Sequence, residues 1–454
     1  MKIPPLFDDR QFFKNLFALA IPIILQSFAN TLVNTLTTVM IGRMGTVEVA
    51  AVGLGNQLFF LMDLCLYGIC SGGAIFTAQF WGRRDISGIR KNMGFCLVLC
   101  LAASVIFYMV SILIPEKFIG IYSRDREVIA AGAVYVRTFS PSFVPYAISM
   151  VFILTLRSVE KVRLAFIATL IFLFFNMVLN YLFIFGAGPI PAMGVKGAAM
   201  ATAIARFVQA AVLVVMTYYF KYIPAGNFRE MTAFNSFYVR KFFRLILPVL
   251  ANEMLWAFGM TTHNIIFART STDAIAALNI TSTVWNLPWV FFIGLGNSIA
   301  VLVGKKIGEN EEKIARDYAS RAIRFVSLLS LGGAVILFLL SRLLPFVFNV
   351  NLGTIRYASQ MLIILCFAFP FRAFNNSMVI GILRAGGDTV FCVIYDVLLM
   401  WVLSIPLAAL VAFVFNAPVW IIYLCLALEF PLKSVLGLWR FRTGKWLHNV
   451  TSGL

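Results

Sequence analysis

The sequence predicts an all-α polytopic membrane protein with 12 transmembrane helices in two pseudo-symmetric six-helix lobes. Of its 454 residues, 61% are apolar and 12% charged, and the mean hydropathy is +0.91. Soluble domains run at about 45–50% apolar and about 25% charged, so an ordinary soluble enzyme is excluded. The apolar residues are gathered into runs of helical length, and one span needs roughly 20 of them. The chain also resembles itself at an offset of 226 residues, which divides the runs into two sets of six.

The first six runs fall near 16–41, 50–80, 93–114, 129–155, 164–186 and 195–219. The second six fall near 242–268, 274–304, 323–345, 358–382, 389–415 and 418–438. Run 1 carries Pro22 and leads to Arg43; run 2 carries Asp63, and a basic turn with Arg83 and Arg84 precedes run 3. Run 4 contains Arg137 and is followed by Arg157; run 5 contains Asn176 and Asn180, and run 6 contains Arg206. Run 7 holds Pro248, Glu253 and His263, run 8 holds Asn286, and the basic stretch from Lys305 to Arg324 leads into run 9. Run 10 contains Arg372 and precedes Arg384, run 11 contains Asp396 and run 12 contains Glu429.

At the offset of 226, Phe17 meets Phe243, Pro22 meets Pro248, Arg43 meets Arg269, Thr46 meets Thr272, Gly68 meets Gly294 and Gly82 meets Gly308. Later echoes stand at slightly different offsets, IPEKF (114–118) with LPFVF (344–348) and Arg157 with Arg384. Six spans return the chain to its starting side, so the halves share one topology and form a parallel repeat about an axis along the membrane normal. The N-lobe is 1–228, with a linker from about 220, and the C-lobe is 229–454; the polar stretch 221–241 reads as the connection. Substrate is expected between the lobes. The paired Pro22 and Pro248 each remove a backbone donor and mark a bend in the first helix of each lobe, with a plain packing kink as the alternative.

The formal charge of +18 is a matter of topology. With alternating loops, 26 of the 37 Lys and Arg fall on the side shared by both termini, eight fall on the other, and Arg137, Arg206 and Arg372 lie within spans. Both termini are therefore expected in the cytoplasm, with the chain in the cell membrane and no nucleic-acid partner. The polar, mixed-charge N-terminus argues against a cleaved signal peptide. Seven cysteines, without CxxC spacing and set in or beside apolar runs, read as small buried hydrophobes. No metal site or cofactor is expected.

Ionisable residues within spans cost roughly 2.5–3.5 kcal/mol on insertion scales and need a reason. Glu253 and Asp396 are the leading candidates for cation coupling, because a buried carboxylate exchanges a proton or coordinates a hard cation. The alternative is a structural acid paired with Arg137, Arg206 or Arg372. Asp63 is weaker, as is Glu429, which has Lys433 at i+4. His263 lies about 15 Å along the helix from Glu253, too far to touch it, and is a candidate relay or cavity donor. The intramembrane amides, Asn34, Asn176, Asn180, Asn252 and Asn286 among them, suggest a wet cavity. Trp256, one turn after Glu253, and Thr37, the repeat mate of His263, complete the polar set expected to line it.

The segments IPIILQSFANTLVNTLTTVMIGRMGTVEVAAVG, LRSVEKVR, NYLFIFGAG, GVKGAAMATAIAR and GILRAGGDTV together resemble the MATE (multidrug and toxic compound extrusion) family across nearly the whole chain. The resemblance implies two six-helix lobes in a V and antiport of organic cations or amphipathic drugs against protons or sodium, by alternating access and as a monomer. It also exposes departures. Many relatives carry acids where this chain has Thr37 and Asn180, and another branch carries them near Trp256 and Ala373. Ion coupling here would then fall to Glu253 and Asp396, while Asn176 and Asn180 would keep neutral hydrogen-bonding roles. Asp388 matches the family's GGDT turn and reads as a cytoplasmic hinge.

Two other readings are open to the sequence. A lipid-linked saccharide or lipid flippase of the same superfamily would want a cavity rich in Arg and Lys. A polytopic membrane transferase would want clustered His, Asp or Glu at the membrane surface, and with histidines only at 263 and 448 the chain reads as a non-enzyme.

Overall fold

The computed structural model describes residues 8–42, 44–186, 189, 191–348 and 350–454; Arg43 and the side chain of Asn34 lie outside the described residues. Among them, 12 helices are long and apolar enough to cross a membrane. They are α1 (Arg10–Gly42), α2 (Thr46–Gly82), α3 (Ile86–Leu113), α4 (Arg126–Ser158), α5 (Val162–Phe185) and α6 (Gly194–Tyr219), then α7 (Ser236–Thr270), α8 (Thr272–Gly308), α9 (Glu312–Val347), α10 (Leu352–Arg384), α11 (Thr389–Phe413) and α12 (Val419–Thr443). Each expected apolar run is one of these helices. Several extend well past the run: α2 and α8 have 37 residues each, about 55 Å, against a hydrocarbon core of about 30 Å.

The repeat is written into helix boundaries as well as side chains. The starts of α1 and α7, α2 and α8, α3 and α9, and α4 and α10 are each 226 residues apart, and α2 and α8 match at both ends. Caps repeat too. Asp125 accepts the backbone N–H groups of Glu127 and Val128 at the start of α4, and Asn351 does so from Thr354 at the start of α10. Arg84 and Asn310, both at φ 59°, turn the chain out of α2 and α8 in the left-handed conformation.

One residue is then gained. The left-handed position after α4 is Glu160, but after α10 it is Gly387, an offset of 227. The step coincides with a π-helical stretch at the end of α10, Ser377–Arg384, and a π turn accommodates one extra residue in a helix. This explains why Arg157 is echoed by Arg384 one position late. The other late echo does not follow the structural register: 114–118 leads into a separate short helix, Pro115–Gly120, whereas 344–348 is the last turn of α9 and its exit.

The chain packs as two compact units, one holding residues to Ile24 and from Phe243 to Gly453, the other holding Leu25 to Phe242. The boundary at 228/229 divides the sequence repeat; the packed units change over within α1 and within α7. In the first unit the ring of Phe12 lies 4.8 Å from that of Tyr318 on α9, and Phe13 lies 5.2 Å from Phe325. In the second, Tyr238 at the start of α7 donates to Asn92 of α3 at 2.7 Å and packs on Phe76 and Phe95. Phe12 and Tyr238 are repeat mates, as are Asn92 and Tyr318, so one helix-to-helix contact is made twice. Pro22 and Pro248 sit inside continuous helices at matching positions.

The stretch after α6 is held to α3. Arg90 donates to the Ile223 carbonyl at 3.1 Å and to both Glu230 oxygens at 3.0 and 3.1 Å, and Asn227 and Glu230 close a capping box over the short helix Phe228–Met231. Gly94 makes room for this: a Cβ there would stand 2.0 Å from the Met231 carbonyl oxygen. Gly94→Ala should therefore lower the thermal stability of the purified protein by roughly 1–3 kcal/mol. Gly332→Ala, where a Cβ meets nothing within 4 Å, should be neutral or gain up to about 1 kcal/mol. The Asn227 N–H bond, followed by the Arg90 contact, holds the Glu230 carboxyl below its ordinary range. Amide protection over 227–231 should thus be complete above the ordinary glutamate range and be lost as pH falls through the depressed value, measured by hydrogen exchange.

Candidate functional site

The first unit contains a continuous polar chain linking α7, α10, α11 and α12. A Glu253 oxygen is 2.7 Å from an Arg384 nitrogen, and Arg384 also donates to the Asn252 carbonyl oxygen at 3.2 Å. The Asn252 amide N–H donates onward to Asp396 at 2.9 Å. Lys433 lies 3.4 Å from Asp396 and 3.4 Å from Glu429, and Glu429 accepts from the Ser404 hydroxyl at 3.0 Å. Three of these groups sit on π-helical turns, Arg384 on Ser377–Arg384, Asp396 on Ile394–Leu398 and Ser404 on Met400–Ser404. Such turns widen the helix and re-aim the side chains they carry.

Exposure separates the acids. The side chains of Lys433 and Glu429 are 3% and 5% exposed, whereas Glu253 and Asp396 retain 13% and 22%. Glu429 is sealed, whereas Glu253 and Asp396 keep part of their side chains exposed. A third cation, Arg372, lies flat on aromatics, 3.8 Å from the Trp285 ring and 5.1 Å from those of Trp289 and Phe430. Three carboxylates and three cations thus share the layer.

These partners correct the sequence expectation. Arg137, Arg206 and Arg372 were the cations sought for the buried acids. Arg137 instead pairs with Glu116 in an exposed bridge at 2.8 Å, and Arg206 belongs to the other unit. The actual partners, Arg384 and Lys433, had been counted among basic residues facing the cytoplasm, yet both are buried. Only the Glu429–Lys433 pair was anticipated. His263 is buried outside this chain of contacts, and its Nε2 has no hydrogen-bond partner among the described residues. Trp256 and Thr37 are half-buried, Asn286 is exposed, and none of the three joins the network; Asn252 is its centre.

The second unit holds the same constellation without the acids. Arg157 on α4 donates to the side-chain oxygen of Gln26 on α1, and the Gln26 amide N–H donates to Thr169 on α5. Gln209 on α6 also donates to Thr169, at 3.4 Å. Gln26 and Asn252 are 226 residues apart, Arg157 and Arg384 are 227 apart, and so are Thr169 and Asp396; Gln209 and Lys433 are 224 apart. Each of these three bonds of the second unit therefore has its counterpart in the first, with Thr169 standing for Asp396. A neighbouring pair is inverted. Arg206 lies 4.5 Å from the Tyr146 ring and 4.0 Å from that of Phe172, and Tyr146 donates to Asp63. Tyr146 is the mate of Arg372 and Arg206 that of Phe430, so cation and ring have changed places.

Gln26 and Thr169 were not singled out from the sequence and Arg157 stood there only as the echo of Arg384; the offset of 226 leads from Asn252 to Gln26, and the 227 of the Arg157–Arg384 echo leads from Asp396 to Thr169. Asn180 donates to Asn176 at 2.9 Å and Asn176 to Thr202 at 3.0 Å, a ladder between α5 and α6 that leaves the Asn180 side-chain oxygen buried without a partner among the described residues. Asp388 receives a two-pronged bond from Arg440 at 2.7 and 3.1 Å beside Gly387 in the left-handed region.

The signature of the MatE family matches residues 22–182 and 248–410, two stretches whose starts are again 226 apart. The chain belongs to the MatE family. Among MatE-family and related proteins, it is 23% identical to a probable multidrug resistance protein NorM of Thermotoga maritima, over 95% of this chain and 93% of that one. It is 26% identical to the multidrug resistance protein MdtK of Proteus mirabilis, over 87% and 86%. In fold it matches a crystal structure of a MATE protein in complex with MaL6, with TM-score 0.86 and 17% identity over 95% and 97% of the two chains. It also matches an outward-facing multidrug resistance MATE family transporter, with TM-score 0.84 and 18% identity over 95% and 96%. This is a multi-pass membrane protein of a transporter family.

Removing the shared cation of the acidic layer should be costly. Lys433→Met leaves Asp396 and Glu429 without their contact cation and should destabilise the protein by about 3–5 kcal/mol. The loss should be partly recovered in the Lys433→Met, Glu429→Gln double variant, read as melting temperature in detergent.

Proposed function

We propose that this MatE-family chain is a secondary efflux antiporter of the cell membrane, with both termini cytoplasmic, exporting organic cations and amphipathic drugs against a proton or sodium gradient. The names of its relatives support the drug-efflux part. The observation that carries the coupling part is the Glu253–Arg384–Asn252–Asp396 chain, in which two partly exposed carboxylates are tied across three helices.

The coupling step follows from competition. A proton or sodium ion on Glu253 removes the charge that holds Arg384, so ion binding and the Glu253–Arg384 ion pair are mutually exclusive. Arg384 then leans on Asn252, whose other hand holds Asp396, and the α11 contact is perturbed in turn. A drug that prefers the ion-free arrangement is disfavoured by the ion to the same extent that it disfavours the ion. His263, with its open Nε2 further along α7, is assigned as a hydrogen-bonding group of the same helix and not as part of the ion pair. The flippase reading stands second, because Arg384 and Lys433 are already neutralised within their own unit.

Efflux of a cationic dye from proteoliposomes under separate proton and sodium gradients tests this reading. One gradient should drive the dye, and Glu253→Gln should cut the gradient-driven rate by about 5–150-fold, the usual range of a coupling energy. Gradient-driven export that survives in both Glu253→Gln and Asp396→Asn would overturn it.

A further inference from the structure

The two polar layers differ in one respect that the repeat makes measurable. In the first unit Arg384 is held by the amide of Asn252 and neutralised by its neighbour Glu253. In the second, Arg157 is held by the amide of Gln26, but the repeat mate of Glu253 is Ser27, which carries no charge. Among the described residues no carboxylate lies within ion-pair distance of Arg157; its electrostatic neighbour is the Tyr67 phenol group. The half-buried acid of that layer, Asp63, is bonded to Tyr146 under Arg206.

The guanidinium is also set up to receive. Gln26 is buried, and its N–H is spent on Thr169, which fixes the amide with its oxygen toward Arg157. Gln26 takes one N–H of Arg157, and the Arg157 Nε, itself sealed, has no hydrogen-bond acceptor among the described residues. The rest of the Arg157 side chain and Ser27 are only half-buried. A positioned guanidinium with spare N–H groups in a low-dielectric setting binds planar or tetrahedral oxyanions, often through two bonds.

We propose that Arg157, oriented by Gln26, is an anion-binding site of the second unit, taking the carboxylate, sulfonate or phosphate group of an amphipathic ligand at the place where Glu253 supplies an internal counter-charge in the first. The chain then recognises an acidic group in one unit with a residue that the cation-coupling reading does not use, so the site stands or falls independently of Glu253.

The test is calorimetric titration of the protein in phosphatidylcholine nanodiscs with naphthalene-2-sulfonate and with its neutral analogue naphthalene-2-carboxamide. The wild type should bind the sulfonate about tenfold or more tightly than the amide, about 1.4 kcal/mol. Arg157→Gln should bring the two within about twofold, and Arg157→Lys, keeping the charge without the fork, should fall between. Ser27→Glu is the decisive variant. It installs the counter-charge of the other unit and should abolish the preference while leaving the melting temperature equal or higher. Equal affinities in the wild type, or a preference that persists in both Arg157→Gln and Ser27→Glu, would overturn the assignment. Repeating the titration in phosphatidylglycerol nanodiscs distinguishes the source of the anion: a headgroup occupant blocks the added sulfonate there, and a free ligand site does not.

Discussion

Asn252 is the residue on which the acidic layer depends. Its carbonyl oxygen accepts from Arg384 and its N–H donates to Asp396, so one amide joins a cation on α10 to an anion on α11 from a position on α7. In a medium where an unpaired charge costs several kcal/mol, such a neutral, two-handed group allows ionised side chains to coexist between helices. Gln26 does the same in the other unit for Arg157 and Thr169. Both amides lie four residues beyond the helix prolines Pro22 and Pro248, so a relaxed backbone turn and a polar bridge recur together.

Duplication explains why the layers match and divergence explains what they do. The starts of the first four helix pairs, their caps and the exits of α2 and α8 keep a register of 226, which becomes 227 after the π turn of α10 and 225 at the start of α12. Within that shared frame the polar positions have been re-lettered: Thr169 for Asp396, Ser27 for Glu253, Gln209 for Lys433, and Arg206 with Tyr146 for Phe430 with Arg372. One unit has become an internally neutral lattice of acids and bases. The other keeps neutral amides around a cation. A two-unit transporter can thereby present different chemistry to its ligands from a single architecture.

The packing that carries these layers is reciprocal at the leading ends of α1 and α7. Phe12 packs on Tyr318 in one unit and Tyr238 on Asn92 in the other, an aromatic pair in the first case and a ring with a hydrogen bond in the second.

The sequence by itself determined the class, the twelve helices, the doubled six-helix plan and Glu253 and Asp396 as the acids to watch. Hydropathy and repetition are properties of the chain read in one dimension, and membrane spans are long enough for both to be legible. Only the tertiary structure decided which cation each acid meets. Loop counting assigned Arg384 and Lys433 to the aqueous side, because a helix end is uncertain by a turn and a long side chain reaches back by as much. Nor could hydropathy show the π turns that place Arg384, Asp396 and Ser404 together, since an inserted residue changes the direction of side chains and leaves apolarity untouched. Arg157 escaped for the same reason. Its significance lies in a partner that is missing, and a missing counter-charge can be recognised only once the two layers are seen to be the same layer.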